Sequence, residues 1–271
     1  MSRLAQVQNL AIKYPIVYAF NYPLTYYSAY GYRPVQKVRS CLDKQGADVI
    51  FMPNLTNPSS TIETRAQRFY QRFSNVMDEH EKFHLVAHSF AGVDMRAMIN
   101  FFDLQDKVAS LSTLCSPHNG LTLLERIPNN PDSKEHLLNA LRPVGMNSHN
   151  VKEFFPNTMA NINEEIADSE TFAKFSFGSR TTQQNVEKML RYTASAITDE
   201  SWGITQPKDC RWGNYLLTYE ASHYEIGGLS QEFNMDLIYG AVVDNIKLTE
   251  AKADRTIAEQ LGFAYEDFRE Q

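Results

Sequence analysis

The chain has 271 residues, 43% hydrophobic and 21% charged, a balance that suits one globular domain with a well-buried core. A net charge of −6 and no basic block argue against a nucleic-acid partner, and no apolar run approaches the roughly 18 residues of a membrane-spanning helix. The three cysteines, Cys41, Cys115 and Cys210, are too sparse and odd in number for a disulfide framework and point to a reducing, intracellular compartment.

The N-terminal segment has no long apolar stretch followed by a small-residue cleavage site, so it reads as no secretory signal. Up to Lys13 it carries Arg3 and Lys13 and no acid, a composition shared by mitochondrial transit segments and by short amphipathic lead-ins. The first buried strand is predicted over Pro15–Phe20. An amphipathic helix follows from Arg33 to Gln45, with Val35, Val38 and Leu42 on its apolar side. A second strand is expected over Ala47–Met52. Asn54-Leu55-Thr56 matches a glycosylation sequon, which is read as chance without a secretory signal. The next helix opens with a capping-box-like start at Pro58–Glu63 and carries Ile62, Phe69, Phe73 and Val76 near the 3.6 period.

Phe83–Ala87 reads as a third strand, Val93–Phe102 as a helix and Val108–Leu114 as a fourth strand. Short apolar runs alternating with amphipathic helices imply βαβ units and a mostly parallel sheet covered on both faces. Past Leu121 the pattern becomes irregular and rich in Asn and Pro. The expectation is a single domain over 1–271, with a helical cap or lid inserted at 121–170. Phe172–Gly178 then reads as a further strand, Leu237–Ile246 as a helix, with more helix from Leu248 onward.

One motif carries chemistry. Ala87-His88-Ser89-Phe90-Ala91-Gly92 sits between a strand and a helix, the setting that a nucleophile elbow requires. Small residues two before and two after the serine relieve the crowding of its sharp turn. The helix N-terminus sets a positive dipole end beside it.

These features, taken with three others, resemble the triacylglycerol lipases of the α/β-hydrolase superfamily. Tyr14-Pro15-Ile16-Val17 matches the family's first strand, and Ser116-Pro117-His118-Asn119-Gly120 its Pro-His-x-Gly turn. Arg211-Trp212-Gly213 with Ser222-His223 match its late motifs. The resemblance spans about residues 14 to 246. It implies an α/β-hydrolase fold with Ser89 as nucleophile and His223 as general base, splitting a carboxylic ester through an acyl-enzyme. It places the oxyanion donors on the backbone N–H groups of Tyr22 and Phe90. His88 is expected to point away from Ser89, His118 to lie in a turn, and His80, His84, His136 and His149 to be surface or capping residues.

Two positions depart from the family pattern. Phe20-Asn21 replaces the His-Gly that ends the first strand, and Asn is the replacement that best tolerates positive φ there. Ungapped alignment on Arg211-Trp212-Gly213 puts Trp202 where the family has its acid. Asp199, three residues earlier, is the candidate acid if the loop shifts, and Asp209 is the next. Together the departures imply a degenerate lipase-like protein acting as a scaffold or accessory subunit among other protein subunits. The alternative is an active serine ester hydrolase using Ser89 and His223 on a lipid or acyl ester. A third reading is a module that holds acyl chains without cleaving them. No metal or cofactor is expected, since Tyr224-Glu225-Ile226-Gly227-Gly228 lacks the family's calcium-binding pair of acids.

Overall fold

The computed structural model describes residues 3–21, 33–53, 60–126, 131–142, 146–182, 184–186, 190–197, 201, 203–228 and 233–266. Six strands form one fully parallel sheet: β1 (Ile16–Phe20), β2 (Val49–Pro53), β3 (Phe83–His88), β4 (Val108–Leu114), β5 (Ala173–Arg180) and β6 (Asn214–Glu220). Their spatial order is β2-β1-β3-β4-β5-β6. Every residue of β1 and β3 is buried, which is why these strands are written as unbroken apolar runs around His84 and His88.

The predicted strands all form, within two residues at each end. β6 is the one that the sequence reading lacks. It lies at one edge of the sheet and is half-exposed along its length, so Asn214–Glu220 shows neither a buried run nor a clean alternation.

Helix α1 (Arg3–Gln8) packs onto a long C-terminal helix, burying Val7, while Lys247 Nζ donates to the Gln8 carbonyl at 2.7 Å. Helices α2 (Arg33–Lys44), α3 (Ile62–Phe73) and α4 (Ala91–Phe101) make the crossovers among β1, β2, β3 and β4. α3 opens within the stretch expected to start it. Thr61 caps it, its Oγ1 accepting from Thr64 N at 3.2 Å, and the Glu153 carboxylate accepts from Ile62 N at 3.0 Å. Between β4 and β5 lie α5 (Pro131–Leu141), a single turn at Asn150–Phe154 and α6 (Pro156–Glu165). The short α7 (Arg191–Ala196) precedes β6, and α8 (His223–Ile226) follows it. Helix α9 runs from Asp236 to Ala253, then breaks, and α10 covers Arg255–Leu261. No described helix is long and apolar enough to cross a membrane.

His84, expected as a surface or capping residue, is instead fully buried. Its Nε2 donates to Glu250 at 3.0 Å and its Nδ1 meets Ser110 Oγ at 2.7 Å, while Glu250 also accepts from the backbone of Lys13 and Tyr14. A histidine and a carboxylate thereby tie α9 to the N-terminal edge of the sheet. His136 and His149 are exposed as expected.

This topology fixes where a site can form. The chain winds from β1 to β2 on one side, then returns to β3 on the other. The crossovers diverge there and leave a crevice at the carboxyl ends of β1 and β3. Phe20 pairs with His88, so Asn21 and Ser89 leave the sheet at the same level, on either side of that crevice.

Candidate active site

β3 ends at His88 and α4 begins at Ala91, so the chain turns from strand to helix within two residues. Ser89 makes this possible by taking the left-handed conformation, φ +61°. That costs about 1–2 kcal/mol for a residue with a Cβ, and it persists only where the surroundings over-determine it. Here Ser89 N donates to Leu114 O at 2.8 Å, and Gly92 N to Ser89 O at 3.1 Å. Gly92 has a separate job. A Cβ there would lie 2.1 Å from Ser116 Oγ and 3.0 Å from Thr113 Cγ2, so only glycine lets α4 sit this close to the end of β4. Phe90 heads α4, its N–H at the positive end of the helix dipole, and its ring meets Phe154 edge-on at 4.7 Å.

His223 opens α8. Ser222 starts this helix through a reciprocal cap: its Oγ accepts from Glu225 N at 3.3 Å, and the Glu225 carboxylate accepts from Ser222 N at 2.6 Å. The His223 ring stacks on His88, centroids 4.5 Å apart and planes 23° off parallel. His88 adjoins Ser89, so this stack brings His223 to the elbow. Burial pushes His88 down to about 3 and His223 well below its ordinary value, with His88 reinforcing the second shift. Both imidazoles are therefore neutral near pH 7.

Tyr22, Asp199 and Trp202 lie outside the described residues. Asp209 is described and does structural work. One carboxylate oxygen accepts from Gln206 N at 2.9 Å and the other from Thr122 Oγ1 at 2.5 Å, bracing the turn before β6. Burial raises its carboxyl above the ordinary value.

Asn21 departs from its expected role. Among the described non-glycine residues, positive φ occurs at Ser89, Asp103 and Cys115 only, so Asn21 does not adopt the twisted conformation of the glycine that it replaces. Its side chain is used instead: Nδ2 donates to Asp94 Oδ2 at 2.5 Å. Asp94 is fully buried and held by Arg65, whose Nε lies 3.0 and 2.9 Å from its two oxygens. Burial raises the Asp94 carboxyl, and Arg65 and Asn21 pull against that rise. The sequence carries a trace of this cluster. Arg65 falls in the apolar stripe of α3, three residues after Ile62 and four before Phe69, and Asp94 interrupts a nearly all-buried helix.

The Pro-His-x-Gly and Arg-Trp-Gly motifs meet in a second cluster. Arg96 lies 3.3 Å from Asp168 and donates to His118 Nδ1 at 3.3 Å and to Asn163 Oδ1 at 2.9 Å. Guanidinium cannot accept, so His118 carries its proton on Nε2 and donates to Thr113 Oγ1 at 2.9 Å. Trp212 Nε1 donates to Asp168 at 2.7 Å, and its ring stacks on His118 at 5.0 Å. These motifs are packing joints between β4, α6 and β6. Among the described residues no group of three or more metal-ligating side chains is present.

A parallel sheet with a strained serine elbow at its switch point and a histidine from the loop after the last strand defines an α/β-hydrolase fold. The family model of palmitoyl protein thioesterases matches residues 35–191, more than half of the chain and including Ser89. The chain belongs to the palmitoyl protein thioesterase family. No curated protein matches it by sequence. Among solved structures it is similar to the mature Bacillus licheniformis lipase BlEst2, at 16% identity and a TM-score of 0.69 over 87% of this chain and 92% of that one. A metagenomic carboxyl esterase aligns at 12% identity and TM-score 0.65, over 88% and 77% of the two chains. The Legionella pneumophila phospholipase PlaB aligns at 13% and 0.62, covering 92% of this chain and 61% of its own. At these identities the likeness is one of fold.

Proposed function

We propose that the chain is a serine acyl hydrolase that cleaves a thioester or ester of an acyl chain, with Ser89 as nucleophile and His223 as general base. One observation carries the reading: Ser89 keeps its strained φ of +61° in an intact elbow, a cost that a plain scaffold has no use for. The Ser89 hydroxyl attacks the carbonyl carbon and its proton passes to His223. The tetrahedral oxyanion is received by the N–H groups of Phe90 and Tyr22. It collapses to an acyl-serine, and the departing thiolate or alkoxide takes the proton from His223. Water, deprotonated by His223, then releases the carboxylic acid and restores Ser89. In this scheme Asp199 supplies the acid that orients the imidazole, and the 121–170 insertion is the lid over the acyl chain. The family match supports a thioester substrate, and the lipase and esterase neighbours an oxyester.

A second reading has its own observation. His223 is a weak base in this structure, buried against a second neutral imidazole, and Asn21 stands where the lipase pattern has glycine. A scaffold or accessory subunit built on a retired hydrolase would look like this. The two readings separate on one experiment. The proposed enzyme is labelled at Ser89 by an alkyl fluorophosphonate and hydrolyses p-nitrophenyl esters or an acyl-thioester, and Ser89→Ala and His223→Ala abolish turnover. A wild-type chain that neither labels nor turns over passes the case to the scaffold.

A further inference from the structure

We propose that Asn21, Asp94 and Arg65 form a positioning relay, in which Asn21 fixes the turn after β1 against the elbow helix and so sets the spacing of the oxyanion donors. This rests on the reading of Ser89 as nucleophile. An oxyanion hole at this switch point draws one donor from the turn after β1 and one from the N-terminus of α4. Those two segments are remote in sequence, and sheet register aligns them only as far as Phe20 and His88. Asn21 is the first residue beyond that register, and Asp94 lies on α4, four residues past Phe90. The Asn21 Nδ2 to Asp94 Oδ2 bond at 2.5 Å is a direct tether between the end of β1 and the elbow helix.

The tether is anchored on its far side. Arg65 holds both Asp94 oxygens, and its own Nη1 donates to the Ser60 carbonyl at 2.5 Å. The Glu153 carboxylate stands 3.9 Å from that same nitrogen and caps α3 at Ile62. Next to Glu153, Phe154 packs on Phe90, and Arg65 lies over the Phe154 ring at 5.7 Å. The carboxylate at the centre is wholly buried, so its ligands leave it one arrangement. Asparagine suits the outer position: it is a short neutral donor, whereas aspartate would set two carboxylates together and glycine would offer no donor. The residue that departs from the lipase pattern thus does by a side chain what the glycine does by backbone shape. Asn21 acts through the turn and is a positioning residue.

The test uses the full chain as wild type, Asn21→Ala and Asn21→Gly, the last restoring the glycine without adding a methyl. Three quantities are read: kcat and KM on a p-nitrophenyl acyl ester, the rate of fluorophosphonate inactivation, and Tm. The expected result is a fall of about 10- to 100-fold in kcat and in inactivation rate, with KM within about twofold, because a displaced donor is felt in the transition state alone. Tm is expected to move by only a few degrees. Variants that match an active wild type overturn the relay. So do variants whose kcat and KM worsen together with a large drop in Tm, since that marks a structural role. A wild type inert to substrate and probe overturns the proposed function itself and the relay's catalytic role with it, and that failure is seen before any variant is made.

Discussion

Two buried arginines grip the segment between β4 and β5, and they do so differently. Arg65 and its partner Asp94 are both inside, 6% and 0% exposed at their side chains, and the cluster touches the insertion through Glu153 and Phe154. Arg96 is equally buried, but its partner Asp168 is 35% exposed, and the cluster touches the insertion through Asn163 and Asp168. The first network is sealed and lies under the elbow. The second opens to water at one end. A sealed ion pair has no substitute ligand when a partner is lost, whereas an open one can recruit solvent. The two feet of this segment should therefore differ in what they tolerate, and the foot beside Ser89 is the brittle one.

Acid offers the broadest way to break the comparison, because histidines sit at both places. Burial holds His88 at about 3, and His118 and His223 well below 6.5. Each is depressed in the fold, so the unfolded chain binds the extra proton. The stability that they contribute is complete above 6.5 and is lost as pH falls below it. Each histidine removes about 1.4 kcal/mol per pH unit in that window, so the three together approach about 4 kcal/mol per unit. The raised carboxyls of Asp94, Glu153 and Asp209 act with the opposite sign: each adds stability as pH falls through its raised value toward the ordinary carboxylate range. Urea denaturation at pH 7.5, 6.5 and 5.5 should show steepening loss toward acid. A flat profile would mean that the imidazoles are hydrated and that neither cluster is sealed.

Single substitutions separate the two networks. Asp94→Ala strands a buried guanidinium and should cost about 3–5 kcal/mol. Asp168→Ala removes a carboxylate that water already reaches and should cost about 1–2 kcal/mol. The midpoints of urea unfolding at pH 7.5 give both values. Equal losses would erase the distinction between the two feet.

How much of this was legible in the sequence follows from the range of each interaction. The elbow is local: its strand, turn and helix are contiguous, so AHSFAG declared them. β1 and β3 were legible because burial on both faces forces near-continuous apolar runs, and β2, β4 and β5 because each keeps buried apolar residues at its centre or ends. β6 was not, because none of its residues is buried and its pattern is mixed. The motif pair around His118 and Trp212 was visible as letters, yet its meaning as a packing joint needed the fold, since 94 residues separate its members. The Asn21–Asp94–Arg65 tether joins three segments by side chains alone. Charged residues on the buried sides of α3 and α4 were its traces, and neither names its partner. Of the two candidate acids that the sequence offers, Asp199 lies outside the described residues and Asp209 braces the turn before β6.

The finest probe of the open network is Trp212→Phe. Phenylalanine keeps an aromatic face against His118 and Arg96, which lie 5.0 Å from the Trp212 ring by centroid and by guanidinium carbon respectively. It removes only the Nε1–H that donates to Asp168 at 2.7 Å. In a sealed site the carboxylate would lose a charge-assisted bond worth about 1.5–3 kcal/mol with nothing to replace it. Asp168 is partly exposed and still held by Arg96, so water can take the vacated position and the loss should stay near 1 kcal/mol, read as a small shift in the urea midpoint with m unchanged. A loss as large as that of Asp94→Ala would show that the 163–168 foot is as sealed as the one under Ser89, and that both ends of the segment are fixed parts of the body.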